Sequence, residues 1–534
     1  MLNPNNIYVC VCVESRRLAE KEPNNLRKME DSISLYSAIS ILSIAVVLAI
    51  IKYLFKSNSY KNLPPSPPSI PIIGHLHLLK PPVHRSLQTL SQKHGPVLSL
   101  RFGSRLVVIA SSMEAAEECF TKNDIVFANR PDFAVSRCLS YNQTTLGAAP
   151  YGDHWRKLRR VSALEILSSN RLNANHEIRR DEMRRAMKKI YEISRDGYGK
   201  VELKSMVKEL TLNITMRMVA GKRYYGEEAA KSSEARTFQA IVDELFEFTL
   251  SSYPADFLPI LKYIDIQGFM KRAKKLITRV DSFWQGLIDE HRRGEISNEE
   301  MENCMVAHFL KLQESQPEYY TDDIIKGLIL TMILGGSDTT AVTIEWAMSN
   351  LLNHPSVLKK ARAELESQLG GDRLLEESDL SKLSYLRCIV LETLRLYPAG
   401  PLLLPHKSSA DCTISGYDVP RDTILLVNAW AIHRDPTLWE DPTSFKPERF
   451  ENSGEGDANS KLMIAFGLGR RACPGTGMAH RVLGLSLGLL IQCFDWKSIE
   501  GKEIDMTEGK GVSMPKAQPL EALCKAREIA TKLL

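Results

Sequence analysis

The chain has 534 residues, of which 44% are hydrophobic and 25% are charged. This balance is typical of a globular protein and excludes a largely disordered, collagen-like or polytopic membrane protein. Lys and Arg number 69 against 64 Asp and Glu, and the resulting charge of +5 is too weak to indicate nucleic-acid binding. No nucleic-acid partner is therefore expected. Ten cysteines without a C-x-x-C pair form neither a disulfide framework nor a zinc site, and they favour a reducing compartment.

A membrane anchor is predicted near the N-terminus, because residues 33–51 are uncharged and mostly apolar. As a helix this stretch would span about 28 Å, close to the thickness of a hydrocarbon core. No A-x-A-like cleavage site follows it, which favours an uncleaved anchor over a cleaved signal peptide. We therefore expect a single-pass transmembrane anchor over residues 29–56, in contact with membrane lipid.

The charges that flank this stretch indicate conflicting orientations. Three lysines after it favour a cytosolic C-terminal side, but five basic residues before it oppose that orientation. A start at Met29 would remove the conflict, so residues 1–28 are predicted to be a non-native or disordered extension. A peptide of the native protein that maps within residues 1–28 would contradict this interpretation.

A proline-rich hinge and one large domain are predicted after the anchor. Prolines are dense in residues 57–74, and a rigid spacer suits this position better than a ligand for a peptide-binding domain. Residues 75–534 contain helical patterns, for example at 181–193 and 238–248. The strand patterns are short and lie at 97–102, 106–110 and 423–427. Since strands and helices do not alternate, a mainly α fold with small β-sheets is predicted rather than a doubly wound sheet.

Two catalytic motifs occur in contexts that do not support them. Residues 467–472 match G-x-G-x-x-A, but the strand that a dinucleotide site requires does not precede them. Residues 484–488 match G-x-S-x-G, the nucleophile motif of α/β-hydrolases. Ser486 lies in an apolar helical pattern and no histidine follows His480, so chain order excludes such a hydrolase.

Cys473 is the cysteine whose surroundings indicate chemistry. It precedes a helical pattern at residues 478–493, and a helix N-terminus favours the thiolate. Arg470 and Arg471 add positive charge, and neighbouring glycines allow a flat ligand to approach the backbone. The segment predicts a metal-bound thiolate, whereas the other nine cysteines are interpreted as inert buried residues.

The same segment resembles the haem-binding signature of the cytochrome P-450 superfamily, F-x-x-G-x-R-x-C-x-G. Phe466, Gly469, Arg471, Cys473 and Gly475 all match it. The resemblance implies the cytochrome P-450 fold, with heme b (iron protoporphyrin IX) bound beside Phe466 and Arg471. Cys473 would be the axial ligand of the haem iron, where a thiolate donates electron density and favours O–O cleavage.

Other signatures of that superfamily follow in its usual order. Glu392 and Arg395, at helical spacing i and i+3, resemble its E-x-x-R pair. Arg449 resembles the arginine that completes this structural ion network. The resemblance also implies partners of the haem propionates at Trp155, Arg159, Arg471 and His406. The alternative for each is a surface or capping role, which for His406 is an equally good interpretation.

A helical pattern over residues 324–353 is interrupted by a Gly-Gly-Ser sequence at 335–337. Two adjacent glycines cost a helix about 1 kcal/mol each relative to alanine, so a role is expected. By resemblance this is the oxygen-activation segment. Thr339 would hydrogen-bond the dioxygen and Asp338 would relay protons, both as catalytic residues. The alternative is close packing of two helices through the glycine pair.

The stretches at 402–406, 510–516 and 520–527 are similar to the plant A-type 81 family, whose members oxidise specialised metabolites. The implied function is a monooxygenase that uses O2 and NADPH electrons to hydroxylate a lipophilic metabolite, such as an isoflavonoid, lignan, indole or diterpenoid. Formation of a methylenedioxy bridge and reductase-independent rearrangement of a peroxide are the alternatives. The resemblance implies substrate contacts at Leu334, Leu402, Leu403, Leu404, Val512 and Ser513.

The chain contains no credible site for NADPH or flavin, so a separate protein must deliver the electrons. By resemblance this partner is the NADPH–cytochrome P-450 reductase of the endoplasmic-reticulum membrane, and the catalytic domain is cytosolic. Arg156, Lys157 and Arg160, beside Trp155, are candidates for docking the reductase's acidic surface. An ordinary solvated helix face explains these three residues equally well.

Overall fold

The computed structural model describes residues 34–47, 62–249, 253–265, 268–294, 304–451, 463–511 and 513–533. The chain divides into two compact units, Met1–Tyr60 and Lys61–Leu534. In the first unit the described residues form one exposed apolar helix, α1 (Ser34–Val47). The predictions for residues 1–28 and for both flanks of the anchor lie outside the described residues.

Helices dominate the second unit, as the sequence patterns predict. They are α2 (Val83–His94), α3 (Met113–Phe120), α4 (Ala134–Leu139), α5 (Asp153–Val161), α6 (Ser169–Ala174), α7 (His176–Ser194), α8 (Leu203–Ala220), α9 (Glu227–Ala230), α10 (Ser233–Thr249), α11 (Phe269–Arg293), α12 (Met305–Ser315), α13 (Asp322–Gly336), α14 (Asp338–Asn353), α15 (Pro355–Leu369), α16 (Ser384–Leu396), α17 (Ala429–Ile432), α18 (Thr476–Cys493) and α19 (Glu528–Leu533).

The strands are short and form three small sheets. In chain order they are β1 (Val97–Phe102), β2 (Arg105–Ala110), β3 (Gly199–Glu202), β4 (His406–Lys407), β5 (Cys412–Ile414), β6 (Tyr417–Val419), β7 (Ile424–Val427), β8 (Phe494–Lys497) and β9 (Glu521–Ala526). The largest sheet has the order β1-β2-β7-β4 and the others have the orders β3-β9-β8 and β5-β6. Strands β2 and β7 are parallel, with Val107 opposite Ile424, and their other neighbours are antiparallel.

The pair α13–α14 lies at the centre of the domain. Residues 340–351 are all buried, and α14 packs against α8, α16 and α18. A helix that is buried on every side occupies the core of a domain rather than its surface. Within the described part of the chain, Asp322–Asn353 is the helical stretch long and apolar enough to cross a membrane, but 61% of its apolar window is buried inside the protein.

The described part of the predicted hinge packs along β1. The Ser99 hydroxyl and amide donate to the carbonyls of Pro64 and Pro65 at 2.8 and 2.9 Å. His75 Nδ1 accepts from the Arg101 amide at 2.7 Å, so its Nε2 carries the proton and donates to the Pro67 carbonyl at 2.8 Å. Prolines lack an N–H but keep an acceptor carbonyl. From Asn62 onward this segment therefore belongs to the domain.

Candidate functional site

A short loop before α18 presents Cys473. The Cys473 amide donates to the Phe466 carbonyl at 2.8 Å, and the Gly475 amide donates to Cys473 Sγ at 3.3 Å. Cys473 is exposed, whereas the other seven described cysteines are buried or partly buried. Although part of the residue is exposed, desolvation of the thiol by the surrounding protein raises its pKa, while the Gly475 amide and the Arg159 charge act in the opposite direction.

Arg470, which precedes the matched Arg471, does not direct its charge at the Cys473 thiolate as the sequence suggests. Arg470 Nε pairs with Asp124 Oδ2 at 3.0 Å, and its amide donates to Oδ1 of the same carboxylate. Gly469 has φ +66°, and a Cβ there would lie 2.5 Å from Asp124 Oδ1 and 2.7 Å from the Phe120 carbonyl oxygen. These two residues fasten the loop to the end of α3 rather than stabilise the thiolate.

Arg471 extends in the other direction, into a cage of main-chain carbonyls. Its guanidinium donates to Ala128 at 2.7 Å, to Leu146 at 3.2 Å and to Ala149 at 2.5 Å. The Trp155 ring on α5 lies 4.4 Å from the guanidinium carbon, and Trp155 Nε1 donates to the same Leu146 carbonyl at 3.2 Å. Two of the residues predicted at the haem propionates, Trp155 and Arg471, thus lie together, and their hydrogen bonds are directed at the backbone.

Arg130 also belongs to this group, although no motif in the sequence identifies it. It donates to the carbonyls of Leu404 and Pro405 at 3.1 and 2.8 Å, and burial lowers its pKa to about 10. Burial, followed by repulsion from Arg130 and Arg159, lowers the pKa of Arg471 to about 9. The only signal of this role in the sequence is an isolated Arg-Pro, and two of the carbonyls that Arg130 contacts lie more than 270 residues away.

The three arginines form an excess of positive charge. Among the described residues no carboxylate pairs with Arg130, Arg159 or Arg471, and burial lowers the pKa of each. Charge that is buried without a counter-ion is costly. Two haem propionates would supply the missing negative charge, so the residues present fit this cofactor.

His406, on β4, lies beside the same cluster. Its Nδ1 donates to the Phe127 carbonyl at 2.6 Å, and its ring lies 4.9 Å from that of Phe120. Burial, helped by the charges of Arg130 and Arg471, holds the pKa of His406 well below its usual value. To donate a hydrogen bond to a haem propionate, the ring would need a second proton at Nε2. The role of His406 as a propionate partner stays a prediction, beside the alternative of a capping role.

Glu392 and Arg395, on α16, form a fully buried bidentate pair. The Arg395 Nε–Glu392 Oε2 and Nη2–Oε1 distances are 2.7 and 2.8 Å, and both side chains have 0% exposure. Arg449 Nε donates to Glu392 Oε1 at 3.1 Å, and Arg395 Nη1 reaches the carbonyls of His433 and Pro442. Since truncating one partner of a buried pair strands the other charge, this network has a structural role.

His433 links that network to the cysteine loop and is also missed by the sequence motifs. Its Nδ1 donates to the Arg395 carbonyl at 3.0 Å and its Nε2 accepts from the Ile464 amide at 3.1 Å. Burial, followed by repulsion from Arg395 and Arg434, lowers the pKa of His433 to about 3. The neutral ring thus bridges α16 and the segment that leads to Phe466.

The central helix breaks where the glycine pair predicts. Ser337 has φ −104° and ψ −70° between α13 and α14, and the Thr339 hydroxyl donates to the Gly335 carbonyl at 2.9 Å. A Cβ at Gly336 would lie 3.4 Å from Thr215 Oγ1, whereas one at Gly335 would meet nothing within 4 Å. One glycine therefore serves helix packing and the other leaves open space beside Thr339 and Asp338, which are both partly buried.

The residues predicted to contact substrate are divided among several surfaces. Leu334 packs against the apolar cluster that contains Trp155 and Leu146. Leu402 and Leu403 pack against clusters on opposite sides of the largest sheet, and Leu404 is 54% exposed. Ser513 is partly buried, and Val512 lies outside the described residues. Their contact with substrate stays a prediction.

Comparison with known proteins identifies the family. The model of the cytochrome P-450 family matches residues 64–521. The chain is 54% identical to cytochrome P-450 81Q32 of Catharanthus roseus, covering 95% of this chain and 99% of that protein. It is 51% identical to an isoflavone 2'-hydroxylase of Glycyrrhiza echinata, over 93% and 99% of the two chains. It is also 51% identical to a (+)-piperitol/(+)-sesamin synthase of Sesamum radiatum, covering 94% of this chain and 98% of that protein.

The chain belongs to the cytochrome P-450 family, and the resemblance to the plant 81 group is confirmed. It is a monooxygenase that uses heme b and receives NADPH electrons through a reductase. When bound, the thiolate-ligated haem supplies reductive activation of dioxygen. The residues that would hold it are Cys473 at the iron and Trp155, Arg159 and Arg471 at the propionates, and the contacts of Arg130 make it a further candidate.

Proposed function

We propose that this monooxygenase hydroxylates a lipophilic, aromatic plant specialised metabolite of the isoflavonoid, flavonoid or lignan type, with indoles and diterpenoids as further classes. The identity of 51% over 93% of the chain to an isoflavone 2'-hydroxylase carries this proposal. The apolar candidates Leu334, Leu402, Leu403 and Leu404 suit such a ligand.

Thr339 and Asp338 are proposed as the catalytic residues of this chain. The Thr339 hydroxyl faces the break in the central helix and now donates to the Gly335 carbonyl at 2.9 Å. By turning from this carbonyl toward the open side, the hydroxyl would hydrogen-bond dioxygen and hold a proton there. Asp338, in the first turn of α14, would pass protons from solvent to Thr339 Oγ1.

Formation of a methylenedioxy bridge is the second candidate. It is favoured by the 51% identity to the (+)-piperitol/(+)-sesamin synthase. Both reactions begin with oxidation of a C–H bond, and they differ in whether an adjacent phenolic hydroxyl of the substrate closes a ring. An ortho-methoxyphenol in the substrate panel therefore separates the two.

The membrane and the redox partner complete the proposal. We place the protein at the endoplasmic-reticulum membrane through the segment that contains α1, with a cytosolic domain that docks the NADPH–cytochrome P-450 reductase. Arg156, Lys157 and Arg160 are exposed on α5, whose opposite face carries Trp155. Arg156 also pairs with Asp153, and Lys157 lies 4.8 Å from the Tyr319 ring, so Arg160 is the least engaged cation of the three.

A product screen tests the proposed function. Full-length protein in microsomes with reductase and NADPH is incubated with a panel of isoflavones, flavones, lignans, indoles and diterpenes, and products are read by mass. We expect a gain of about 16 mass units for hydroxylation, or a loss of 2 for ring closure. Turnover with an organic hydroperoxide but not with reductase and NADPH would contradict the proposal.

Thr339→Ala tests the role of its hydroxyl. The reduced carbon monoxide spectrum is expected to keep the thiolate-type Soret band, while product per NADPH falls about tenfold or more, because the hydroxyl no longer directs protons to dioxygen. Cys473→Ser is the reference variant and loses the band itself. An unchanged yield of product per NADPH in Thr339→Ala would show that its hydroxyl has no such role.

A further inference from the structure

A network of cationic and aromatic side chains lies beneath one turn near the C-terminus. It consists, in order of contact, of Arg85, Trp430, Arg434, Tyr397, Trp346 and Lys516. The guanidinium carbons of Arg85 and Arg434 lie 5.1 and 4.1 Å from the Trp430 ring centroid. Trp346 and Tyr397 stack at 4.1 Å with an interplanar angle of 10°, and Lys516 Nζ lies 4.7 Å from the Trp346 ring. Cation–π contacts gain strength when they are desolvated, as at the buried pair of Trp346 and Lys516, whereas Arg85 at the other end is exposed.

Both ends of the network reach the same turn. Glu508 and Lys516 face each other as an isolated β-bridge, and the Gly509 amide donates to the Pro515 carbonyl at 2.7 Å. We call this segment the 508–516 turn; residue 512 within it lies outside the described residues. At the base of the turn Trp430 Nε1 donates to Glu508 Oε1 at 3.1 Å.

Glu508 holds the base of the turn in place through its hydrogen bonds. Its side chain has 1% exposure, and its carboxylate accepts from His84 Nε2 at 2.8 Å and from Arg85 Nε and Nη2 at 2.9 and 3.0 Å. Burial by itself raises the pKa of Glu508, but the hydrogen bonds from His84 and Arg85 outweigh it and bring the pKa to about 2. The carboxylate is therefore ionised and fully hydrogen-bonded at neutral pH.

The network also ties together the three segments that are predicted to contact substrate. Trp346 lies on α14, two turns after Thr339, and its Nε1 donates to the Met514 carbonyl at 2.7 Å. The Met514 amide donates to the Ala399 carbonyl at 3.0 Å, and the Trp430 amide donates to the Pro401 carbonyl at 3.1 Å. The central helix, residues 399–404 and the 508–516 turn are thus connected by the Trp346 ring donor and by main-chain hydrogen bonds.

We propose that Trp346, Trp430 and Glu508 are positioning residues that hold the 508–516 turn against residues 399–404 and thereby determine which position of the substrate is oxidised. The inference rests on the proposed function, because it takes these two segments as walls of the substrate site. None of the three side chains needs to touch the substrate for this role.

Two variants with matched controls test the inference. Trp346→Phe keeps an aromatic ring between Tyr397 and Lys516 but removes the donor to Met514. Its control is Trp284→Phe, since Trp284 is fully buried and its Nε1 has no hydrogen-bond partner within the described part of the chain. Glu508→Gln removes the charge that binds Arg85. Its control is Glu377→Gln, whose carboxylate pairs with Arg179 and Arg481 on α7 and α18.

Hydrogen exchange of the full-length, haem-loaded protein gives a readout that does not depend on substrate. Peptides covering residues 505–520 are expected to exchange at least fivefold faster in Trp346→Phe and Glu508→Gln, because one buried hydrogen bond to the turn is lost in each. The two controls should leave these peptides within twofold of the unsubstituted protein. Equal exchange in the variants and controls would overturn the inference.

The ratio of regioisomeric products gives the second readout. With any substrate that the product screen identifies, we expect the ratio to change at least threefold in Trp346→Phe and Glu508→Gln and to stay constant in the controls. Faster exchange with an unchanged ratio would overturn the role in selectivity. If the unsubstituted protein converts no member of the panel, the proposed function fails, and the exchange rates alone then decide whether the positioning contacts exist.

Discussion

Arg130 and His433 bind main-chain atoms that lie far away in the sequence. Arg130 donates to carbonyls at 404 and 405, and His433 accepts from the amide at 464. Short motifs find residues whose partners are close by, as with Glu392 and Arg395 at i and i+3, or Cys473 within its loop. They cannot find a side chain whose partner is a distant backbone atom, because any residue supplies that atom.

Arg130→Gln is expected to weaken haem retention. The guanidinium belongs to a group of three arginines that lacks a carboxylate partner among the described residues, so its loss should cost one charge-assisted hydrogen bond, about 1.5–3 kcal/mol. The rate of haem transfer to an excess of apoglobin should rise about tenfold or more. Arg195→Gln, which removes an exposed pair with Glu192, is the control and should leave the rate unchanged. A transfer rate equal to that of this control would contradict the role of Arg130.

The low pKa of His433 predicts that the stability of the protein depends on pH. Its pKa is about 3 in the folded protein and about 6.5 when unfolded, so the unfolded state binds the extra proton and stability falls as pH decreases below about 6.5. The contribution approaches 1.4 kcal/mol per pH unit between about pH 6 and pH 4. Chemical unfolding at several pH values should show this slope relative to His433→Gln. His176→Gln, at an exposed histidine, is the control; parallel curves for all three proteins would refute the assignment.

The broken helix α13–α14 shows how much an element-level pattern can predict. Its helical period and its Gly-Gly interruption are local features, and the structure reproduces both. The two glycines differ in their surroundings, since Gly336 faces Thr215 and Gly335 faces open space, and the oxygen-activation role of the segment stays a prediction. The pattern could not assign them separately, because the neighbour on α8 lies about 120 residues earlier in the chain.

Gly335→Ala and Gly336→Ala form a matched pair that differs in surroundings alone. Alanine at 335 should stabilise the protein by up to about 1 kcal/mol, because it favours the helix and meets no neighbour. At 336 the new methyl group would lie 3.4 Å from Thr215 Oγ1, so the gain should be smaller there. Thermal unfolding of the haem-loaded variants should therefore rank Gly335→Ala above Gly336→Ala. The reverse order would show that the open side at Gly335 is closed by another part of the molecule.

At the scale of the whole molecule, the proline-rich stretch has a different role from the one its composition suggests. Proline density correctly indicates extended chain, but composition says nothing about where its carbonyls find donors. Ser99 and His75 supply these donors, and Gly74 packs so closely that a Cβ would lie 2.2 Å from the Arg101 carbonyl oxygen. Residues 62–74 of the predicted hinge therefore pack along β1, at the edge of the largest sheet.

Two N-terminal truncations test this packing. A variant that starts at Lys61 should keep the thiolate-type Soret band and the unfolding temperature of the full chain. A variant that starts at His75 loses three hydrogen bonds to Pro64, Pro65 and Pro67, and should be less stable by about 2–4 kcal/mol. Thermal unfolding measures both. Equal stability of the two variants would mean that residues 61–74 are only a spacer.

The arginine group around Trp155 has a consequence for how the protein is made. Three partly buried like charges raise the free energy of the domain until carboxylates arrive, so binding of haem and completion of folding are thermodynamically linked. The yield of folded protein in a cell then depends on cofactor supply as well as on translation. Tissues or hosts that synthesise porphyrin slowly would accumulate this enzyme slowly, whatever the abundance of its messenger RNA.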